Sequence, residues 1–280
     1  LHILPQEFIV DDQDGVQNPL GMAAARLEVN VHIVTGSVTS AQNIIKCCNQ
    51  SGLDVEDIVL EPLSSSQAVL SPDEQEVGVV LVDIGGGTTD VTIYSEGSIV
   101  HTAVLALGGN HLTHDIAIGL GAPLHEAEEI KHNFGVAMTS MVKEDEMIEV
   151  PSVGGRNNRT MKKRVLASII EDRFREIFEL IAHEIEKTHF HTLMASGVVI
   201  TGGTCIMPGA DQLASQVLNL PVRVGFPENI SGLREMIYSP KYATSVGLVR
   251  YGITSNQGKL HFAGDDTNLC HKVSRRMKDW

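Results

Sequence analysis

The residues best suited to chemistry stand in one stretch, 79–94, where an apolar run ends at Asp83, three glycines and two threonines follow, and Asp90 opens a second apolar run. Glycines lack a Cβ, so their N–H groups can approach phosphate oxygens closely. The threonine hydroxyls add donors, and an aspartate at a strand end can hold a water bound to Mg²⁺. The stretch predicts a phosphate site, with an ordinary glycine-rich turn as the alternative.

Two common phosphate-binding folds do not fit this stretch. A P-loop needs a lysine after the glycines and a helix behind it, whereas no lysine follows Gly87 and residues 90–94 have the pattern of a strand. A dinucleotide fingerprint also needs a strand, a turn and a helix. The pattern therefore indicates a hairpin of two strands with glycines at its tip.

Two further glycine turns follow the hairpin along the chain. Gly108, Gly109 and Asn110 come after a third strand, and the buried strand pattern 198–200 ends at Thr201 and the pair Gly202-Gly203. Such a turn lets a flat ring or a phosphate lie against bare backbone. One glycine turn is weak support, but three at strand ends in this order indicate a nucleotide cleft.

The elements that must position these turns alternate between strands and helices, which predicts an α/β fold. The strand patterns are 7–10, 27–34, 58–60, 77–82, 91–94, 98–107, 148–150, 198–200 and 222–224. The helix patterns are 37–48, 62–70, 112–120, 122–134, 162–190, 208–218 and 242–251. Two apolar faces are expected to be buried, one on a strand (Leu27, Val29, Val31, Ile33) and one on the longest helix (Val165, Ile169, Phe174, Ile177, Ile181, Ile185).

Composition narrows the class of protein. The 280 residues carry a net charge of −14, which argues against broad binding to nucleic acid or to an anionic membrane. The four cysteines show no metal-ligand spacing, so a reduced cytosolic compartment is expected. No apolar run approaches the roughly 20 residues of a membrane span.

The C-terminal tail has a different pattern. After a polar stretch that begins behind Gly258, four apolar residues recur at spacings that share one helical face, and basic residues lie near them. The residues of this candidate helix are Leu269, Val273, Arg276, Met277 and Trp280. An apolar stripe with tryptophan and nearby cations is typical of an interfacial membrane helix. A short helix docked on the domain is the alternative.

These motifs resemble those of the actin/Hsp70/hexokinase superfamily, whose fold is built on ribonuclease-H-like domains. Within that superfamily the chain resembles the FtsA family of bacterial cell division proteins over about residues 1–252. The segments that carry the resemblance, and separate it from the MreB and PilM families, are 4–8, 18–21, 61–66, 150–156 and 242–248. The resemblance implies an actin-like ATPase fold with ATP and Mg²⁺ as cofactors.

The resemblance also implies a division into subdomains. Residues 1–53 would be the remainder of the FtsA-specific subdomain 1C, 54–75 part of subdomain 1A, 76–110 the first part of subdomain 2A and 111–196 subdomain 2B. Residues 197–252 would complete subdomain 2A with its return helix, and 253–280 would form the linker and the membrane-targeting helix.

The same resemblance implies roles for the residues of the three turns. Asp83 would hold Mg²⁺, Glu61 would orient the attacking water, and the β- and γ-phosphates would be bound by Gly85, Gly86, Gly87, Thr88 and Thr89. The ribose and adenine would be bound by Gly109, Asn110, Glu128, Lys131, Gly202, Gly203 and Thr204. Glu128 and Lys131 fit a solvated i,i+3 pair equally well.

One motif of the superfamily has no counterpart here. Its first phosphate hairpin, Asp-x-Gly-[Ser/Thr] with a following lysine, would precede Leu1, and the sequence holds no second copy. We therefore expect an incomplete first lobe, weak ATP binding and at most slow ATP hydrolysis.

The implied function is that of a cytoskeletal adaptor. Such a protein binds ATP, polymerises, and tethers FtsZ filaments to the cytoplasmic face of the inner membrane at the division septum. Its expected partners are the FtsZ C-terminal peptide through subdomain 2B, other copies of itself, further division proteins and lipid, and not nucleic acid. The alternative is a phosphotransferase or chaperone-type ATPase of the same superfamily, or a PilM- or MreB-like scaffold.

Overall fold

A five-stranded mixed sheet forms the centre of the molecule. The computed structural model describes residues 2–152, 157–188, 194–232 and 234–257. The chain begins with strands β1 (His2–Val10), β2 (Gln13–Val16) and β3 (Leu27–Val34) and helices α1 (Val38–Gln50), α2 (Glu61–Val69) and α3 (Pro72–Val77). Strands β4 (Val79–Ile84), β5 (Thr89–Ser95) and β6 (Ser98–Leu105) follow.

The second half supplies most of the helices. Its elements are α4 (Gly109–Leu120), α5 (Leu124–Phe134), β7 (Met147–Val150), β8 (Arg159–Lys162), α6 (Lys163–Glu186), β9 (Val198–Thr201), α7 (Ala210–Leu218), β10 (Val222–Val224), α8 (Arg234–Ile237) and α9 (Ala243–Gln257). The central sheet has the strand order β10-β9-β4-β5-β6. Strands β10, β9 and β4 run parallel, while β4, β5 and β6 form the antiparallel meander.

Alternation along β4 divides the core into two layers. Val80, Val82 and Ile84 face one cluster, which they share with buried residues of α4, α5, α6 and α7. Val79 and Leu81 face the other cluster, with residues of α2 and α9. Because side chains along a strand alternate between faces, Asp83 shares the face of Val79 and Leu81. Its carboxylate therefore points toward α2 and α9.

A smaller three-stranded sheet, β2-β1-β3, adjoins the end of the meander. The Gln6 side chain donates a hydrogen bond to the Ile99 carbonyl at 3.1 Å, and the Ser98 hydroxyl donates one to the Gln6 carbonyl at 3.2 Å. Strands β7 and β8 form a separate two-stranded sheet.

Several predicted elements differ from the structure. Residues 58–60 pair with no strand of the described chain, so the predicted strand is wrong; a strand needs a neighbour for its backbone groups. Residues 72–77 form a helix that was not predicted, although Ser71 and Glu74 form a capping box. Val77, predicted as the first residue of a strand, instead ends helix α3, and strand β4 begins at Val79.

The two predicted apolar faces have different outcomes. On α6 the buried stripe is shifted by one position at its start, because Val165 is 42% exposed while Leu166 and Ile170 are fully buried. From Phe174 onward the prediction is confirmed. On β3 the prediction is wrong within the described structure, since Leu27 and Ile33 are 58% and 60% exposed.

The tail residues Leu269, Val273, Arg276, Met277 and Trp280 lie outside the described residues. Among the helices that are described, none combines the length and the apolar character needed to cross a bilayer.

Candidate nucleotide-binding site

The β4–β5 hairpin ends in an open turn. Asp83 pairs with Asp90 and Ile84 with Thr89, and the Gly85 N–H donates to the Thr88 carbonyl at 2.9 Å, which leaves Gly86 and Gly87 at the tip. Within the described chain, the N–H groups of Gly86, Gly87 and Thr88 have no acceptor. A Cβ added at Gly87 would meet nothing within 4 Å. Adjacent N–H groups without an acceptor in exposed residues are suited to an anion.

The turn that precedes α4 holds this tip in place. The Gly109 N–H donates to the Gly85 carbonyl at 2.9 Å, and the Asn110 N–H donates to the Gly86 carbonyl at 2.7 Å. The Thr204 hydroxyl also donates to the Gly85 carbonyl, at 2.9 Å. The two carbonyls that would repel an anion are thus turned into the protein, away from the open donors.

The third glycine turn lies against the Asp83 side chain. Gly202 has φ +93°, and a Cβ there would stand 2.5 Å from the Asp83 Oδ1. A Cβ at Gly203 would stand 3.7 Å from the Lys241 Cβ, so the segment before α9 covers this turn. Lys241 was not predicted from the sequence as a residue of this site. All three turns predicted from the sequence therefore meet around the end of β4.

Three carboxylates lie beside the hairpin. Asp83 and Asp90 are buried, with relative exposures of 5% and 8%, whereas Glu61 at the first position of α2 is exposed. Burial, with the charges of Glu61 and Asp83, raises the pKa of Asp90 to about 7. Burial also raises the pKa of Asp83, and partial burial together with the Asp83 charge raises that of Glu61.

Three hydroxyls oppose these shifts, one of them that of Thr88, which donates a hydrogen bond to the Asp90 carboxylate. Ser65 donates to the Asp83 Oδ2 at 2.6 Å, and the Thr244 hydroxyl lies 3.3 Å from the same oxygen and 3.4 Å from the Glu61 Oε1. Within the described residues no lysine or arginine pairs with any of the three carboxylates. The cluster therefore has an uncompensated negative charge at neutral pH.

This donor set fits a hydrated Mg²⁺. The ion retains several waters and takes one or two carboxylates. In the described part of the chain no three His, Cys, Asp or Glu converge as a closed ligand set, so a cation here would be bound mainly through water. An anion on the hairpin amides and a cation beside Asp83 complement each other, as in a metal–phosphate complex.

Lys131 forms a buried network at the turn that starts α4. Its Nζ donates to the Gly109 carbonyl at 3.1 Å, to the Thr113 hydroxyl at 2.8 Å and to the Glu128 Oε2 at 2.8 Å. Although burial opposes it, hydrogen bonds from Lys131 and Thr113 lower the pKa of Glu128. Lys131 is 9% exposed, so the alternative of a solvated i,i+3 pair is wrong for the lysine.

Comparison with known proteins identifies the family of this chain. The family model described as "Cell division protein FtsA" matches residues 80–247, which include the hairpin and the two other glycine turns. The model described as "SHS2 domain inserted in FTSA" matches residues 1–35. Cell division protein FtsA of Pseudomonas aeruginosa is 46% identical over 285 residues, covering 100% of this chain and 68% of that protein.

The chain belongs to the FtsA family of cell division proteins. The FtsA proteins of Neisseria meningitidis and Escherichia coli strain K12 are 43% and 41% identical. The chain covers 60% and 69% of their respective lengths, and thus spans roughly two thirds of these FtsA relatives.

Solved structures show that this FtsA-family chain has the actin-like ATPase fold. The structure titled MreB5 of Spiroplasma citri bound to ADP has a TM-score of 0.64 at 15% identity, covering 91% of this chain and 89% of that one. The PilM–PilN type IV pilus biogenesis complex gives 0.63 at 16% identity, covering 90% and 66%. At such identities the likeness concerns the fold, and the fold class predicted from the sequence is confirmed.

The structure brings the predicted site residues of this FtsA-family chain into one region. Thr89 differs from the rest, because it is fully buried and its hydroxyl donates to the Leu107 carbonyl at 2.8 Å. It supports the hairpin from inside. Three further residues of the site, Ser65, Asp90 and Thr244, were not assigned a role from the sequence. Only Asp90 had a local signal, as the second aspartate of the glycine motif.

Proposed function

We propose that this FtsA-family chain is an actin-like, ATP-binding cell division protein that forms filaments and attaches FtsZ to the membrane at the division site. The carrying observation is the hairpin tip, where three unpaired N–H groups lie on the same hairpin as Asp83 and Asp90, two buried aspartates that no described lysine or arginine pairs with. That pairing of donors and negative charge matches a phosphate bound together with a divalent cation.

In this proposal each end of the site has its own task. The amides of Gly86, Gly87 and Thr88 bind the β- and γ-phosphates, Asp83 holds a water of the Mg²⁺ shell, and Glu61 orients a water toward the terminal phosphate. When bound, Mg²⁺ neutralises phosphate charge and ATP supplies the phosphoanhydride bond. Burial of Asp83 beside Gly202 keeps the carboxylate from turning away.

The nucleoside end is formed by the two other turns. Gly109, Asn110, Glu128 and Lys131 bind the ribose side, and the adenine lies on the bare backbone of the turn 202–204. The buried position of Lys131 supports this assignment, because its ammonium group fixes the Gly109 carbonyl and the Glu128 carboxylate in one arrangement.

Calorimetric titration with ATP tests the nucleotide proposal. The wild-type chain should bind ATP more tightly with Mg²⁺ than with EDTA, and Asp83→Asn should remove most of that difference. Asp145→Asn, an exposed aspartate in the loop before β7, is the matched control. Equal binding of ATP to the wild type with Mg²⁺ and with EDTA would contradict the assignment of Asp83.

The assembly half of the proposal concerns residues 111–196, which we assign to subdomain 2B and to binding of the FtsZ C-terminal peptide. Membership of the FtsA family supports it. Fluorescence anisotropy of a labelled FtsZ peptide should rise on addition of the chain, and electron microscopy with Mg²⁺·ATP should show filaments. ATP turnover without peptide binding or filaments would instead favour a phosphotransferase or chaperone-type ATPase.

Attachment to the membrane is assigned to the tail, through Leu269, Val273, Arg276, Met277 and Trp280. The pattern of an apolar face with nearby cations supports this assignment. In a flotation experiment the full chain should rise with anionic vesicles, while a chain without residues 269–280 should remain at the bottom. Equal flotation of the two chains would refute the anchor.

A further inference from the structure

The hydroxyl of Thr244 has more acceptors than hydrogens. It lies 3.0 Å from the Ser65 Oγ, 3.3 Å from the Asp83 Oδ2 and 3.4 Å from the Glu61 Oε1. A hydroxyl has one hydrogen to donate, so it serves one of these oxygens at a time. The two carboxylate distances exceed the usual O–H···O range of about 2.5 to 3.0 Å, as expected of a donor placed between two acceptors.

Ser65 already supplies a hydrogen-bond donor to one of the two carboxylates. Its hydroxyl donates to the Asp83 Oδ2 at 2.6 Å, so Asp83 has a short bond without Thr244. Glu61 has no other described side-chain donor than Thr244. Both carboxylates compete for the Thr244 hydrogen, but only Glu61 depends on it.

The backbone around Thr244 is fixed to α2. The Ser64 hydroxyl donates to the Thr244 carbonyl at 2.6 Å. One turn further along α9, Gly247 packs so tightly on α2 that a Cβ there would overlap the Ser64 carbonyl oxygen. The side chain can rotate, but its backbone cannot move toward either acid. Thr244 therefore stands at a fixed point between a residue of α2 and a residue of β4.

We infer that Thr244 is a positioning residue whose hydroxyl, shared between Asp83 and Glu61 in the unliganded chain, donates to Glu61 alone when a divalent cation and phosphate are bound at the hairpin, an inference that rests on the proposed function. Asp83 would then accept hydrogen bonds from the water shell of the cation, so the Thr244 hydrogen would remain available to Glu61. That hydrogen then holds the exposed Glu61 carboxylate in one orientation toward the phosphate. Ser65 keeps Asp83 in place throughout.

Carboxylate titration in the unliganded chain tests the positioning role without any nucleotide. Burial raises the pKa of both Glu61 and Asp83, and the Thr244 hydroxyl opposes that rise. Thr244→Val keeps the shape and removes the hydrogen, so both carboxyl groups should titrate at higher pH in NMR spectra. Thr244→Ser should restore the wild-type titration. Thr254→Val, the same change on an exposed turn of α9, should leave both groups unchanged.

Titration with ATP tests the change of partner. Loss of one hydrogen bond to a charged group should weaken Mg²⁺·ATP binding by about tenfold in Thr244→Val. Binding of ATP in EDTA should change little, because without the cation Asp83 retains its bond from Ser65. Thr244→Ser should recover Mg²⁺·ATP binding, and Thr254→Val should match the wild type.

The possible results distinguish a failure of this inference from a failure of the proposed function. Wild-type protein that fails to bind Mg²⁺·ATP would overturn the proposed function and the change of partner with it, while the NMR titration still decides whether Thr244 positions the two carboxylates. Wild-type protein that binds, together with Thr244→Val of equal affinity and unshifted titrations, would overturn the inference alone. A loss of binding equal in Mg²⁺ and in EDTA would also overturn it, since that pattern indicates general damage to the site.

Discussion

Gly108 lies so close to the carbonyl of Gly85 that a Cβ on Gly108 would stand 2.7 Å from the Gly85 oxygen. This approach lets the N–H of Gly109 reach the same oxygen at 2.9 Å. The φ of Gly108 is −173°, an extended value that any residue can adopt. Glycine is therefore required at this position because no space is left for a side chain. The space is lost where two turns that are distant in sequence contact each other.

Gly108→Ala should separate the hairpin from the turn that starts α4. An added methyl group against backbone atoms should lower the free energy of unfolding by about 1 to 3 kcal/mol and abolish ATP binding. Gly87→Ala is the matched control, because a Cβ there meets nothing within 4 Å. It should unfold at the wild-type urea concentration yet bind ATP more weakly, since its methyl group would stand beside the open amides. Wild-type stability of Gly108→Ala would contradict the steric argument.

Stability should fall as the pH rises toward neutrality. The pKa of Asp90 is raised to about 7, so the folded chain retains a proton that the unfolded chain has lost above its ordinary value. The raised pKa values of Asp83 and Glu61 act in the same direction. In EDTA, melting temperatures of Asp90→Asn should decline less than those of the wild type between about pH 5 and about pH 8.

Other groups make the comparison with a variant necessary. The lowered pKa of Glu128 acts at lower pH, below its ordinary value of 4.5. Burial and the His101 charge lower the pKa of His32, and this effect works against that of Asp90 below pH 6.5. Asp145→Asn should keep the wild-type slope. If Asp90→Asn also kept it, Asp90 would not hold its proton in the folded chain.

Lys131→Met should destabilise the protein and weaken nucleotide binding. Removal of the ammonium group leaves the Gly109 carbonyl and the partly buried Glu128 carboxylate without that donor, at a cost of about 1 to 3 kcal/mol. Lys187→Met removes the lysine from an exposed i,i+3 pair with Glu184 and should cost less than about 0.5 kcal/mol. Urea unfolding of both variants measures the difference, and equal values would contradict the burial of Lys131.

Gly247→Ala should force α2 and α9 apart. Its Cβ would overlap the Ser64 carbonyl oxygen and stand 2.9 Å from the Ser64 Oγ. We expect a loss of about 1 to 3 kcal/mol in the free energy of unfolding. Gly252→Ala on the same helix meets nothing within 4 Å and should gain up to about 1 kcal/mol from helix propensity. A neutral Gly247→Ala would show that the two helices can separate without cost.

The sequence predicted the parts of the site that have local signals. The hairpin was predictable because its whole signal, a glycine tip between two apolar runs, lies within sixteen consecutive residues. Ser65 and Thr244 could not be predicted in this way, because they lie 179 positions apart and meet only through the crossing of α2 and α9. Asp90 had the right neighbours in sequence, but its raised pKa depends on burial and on Glu61 and Asp83.

The differences between the predicted and observed elements also have physical reasons. Helix α3 is short and polar and buries no residue, so its capping box was its main signal. The alternating apolar pattern of β3 predicts one buried face. The pattern alone does not show whether other described residues cover Leu27 and Ile33, and both are exposed. On α6, several neighbouring apolar residues satisfy a helical period, and only the packing distinguishes Val165 from Leu166.

Strand β4 is the middle strand of its sheet, with β9 on one side and β5 on the other, and all of its residues are buried. Amide protons of such a strand exchange with solvent only through the largest openings of a protein. The amides around Asp83 should therefore be among the last to take up deuterium, well after those of α5, which has an exposed face as well as a buried one. The strand that carries Asp83 should therefore stay folded through fluctuations that open the periphery of the molecule.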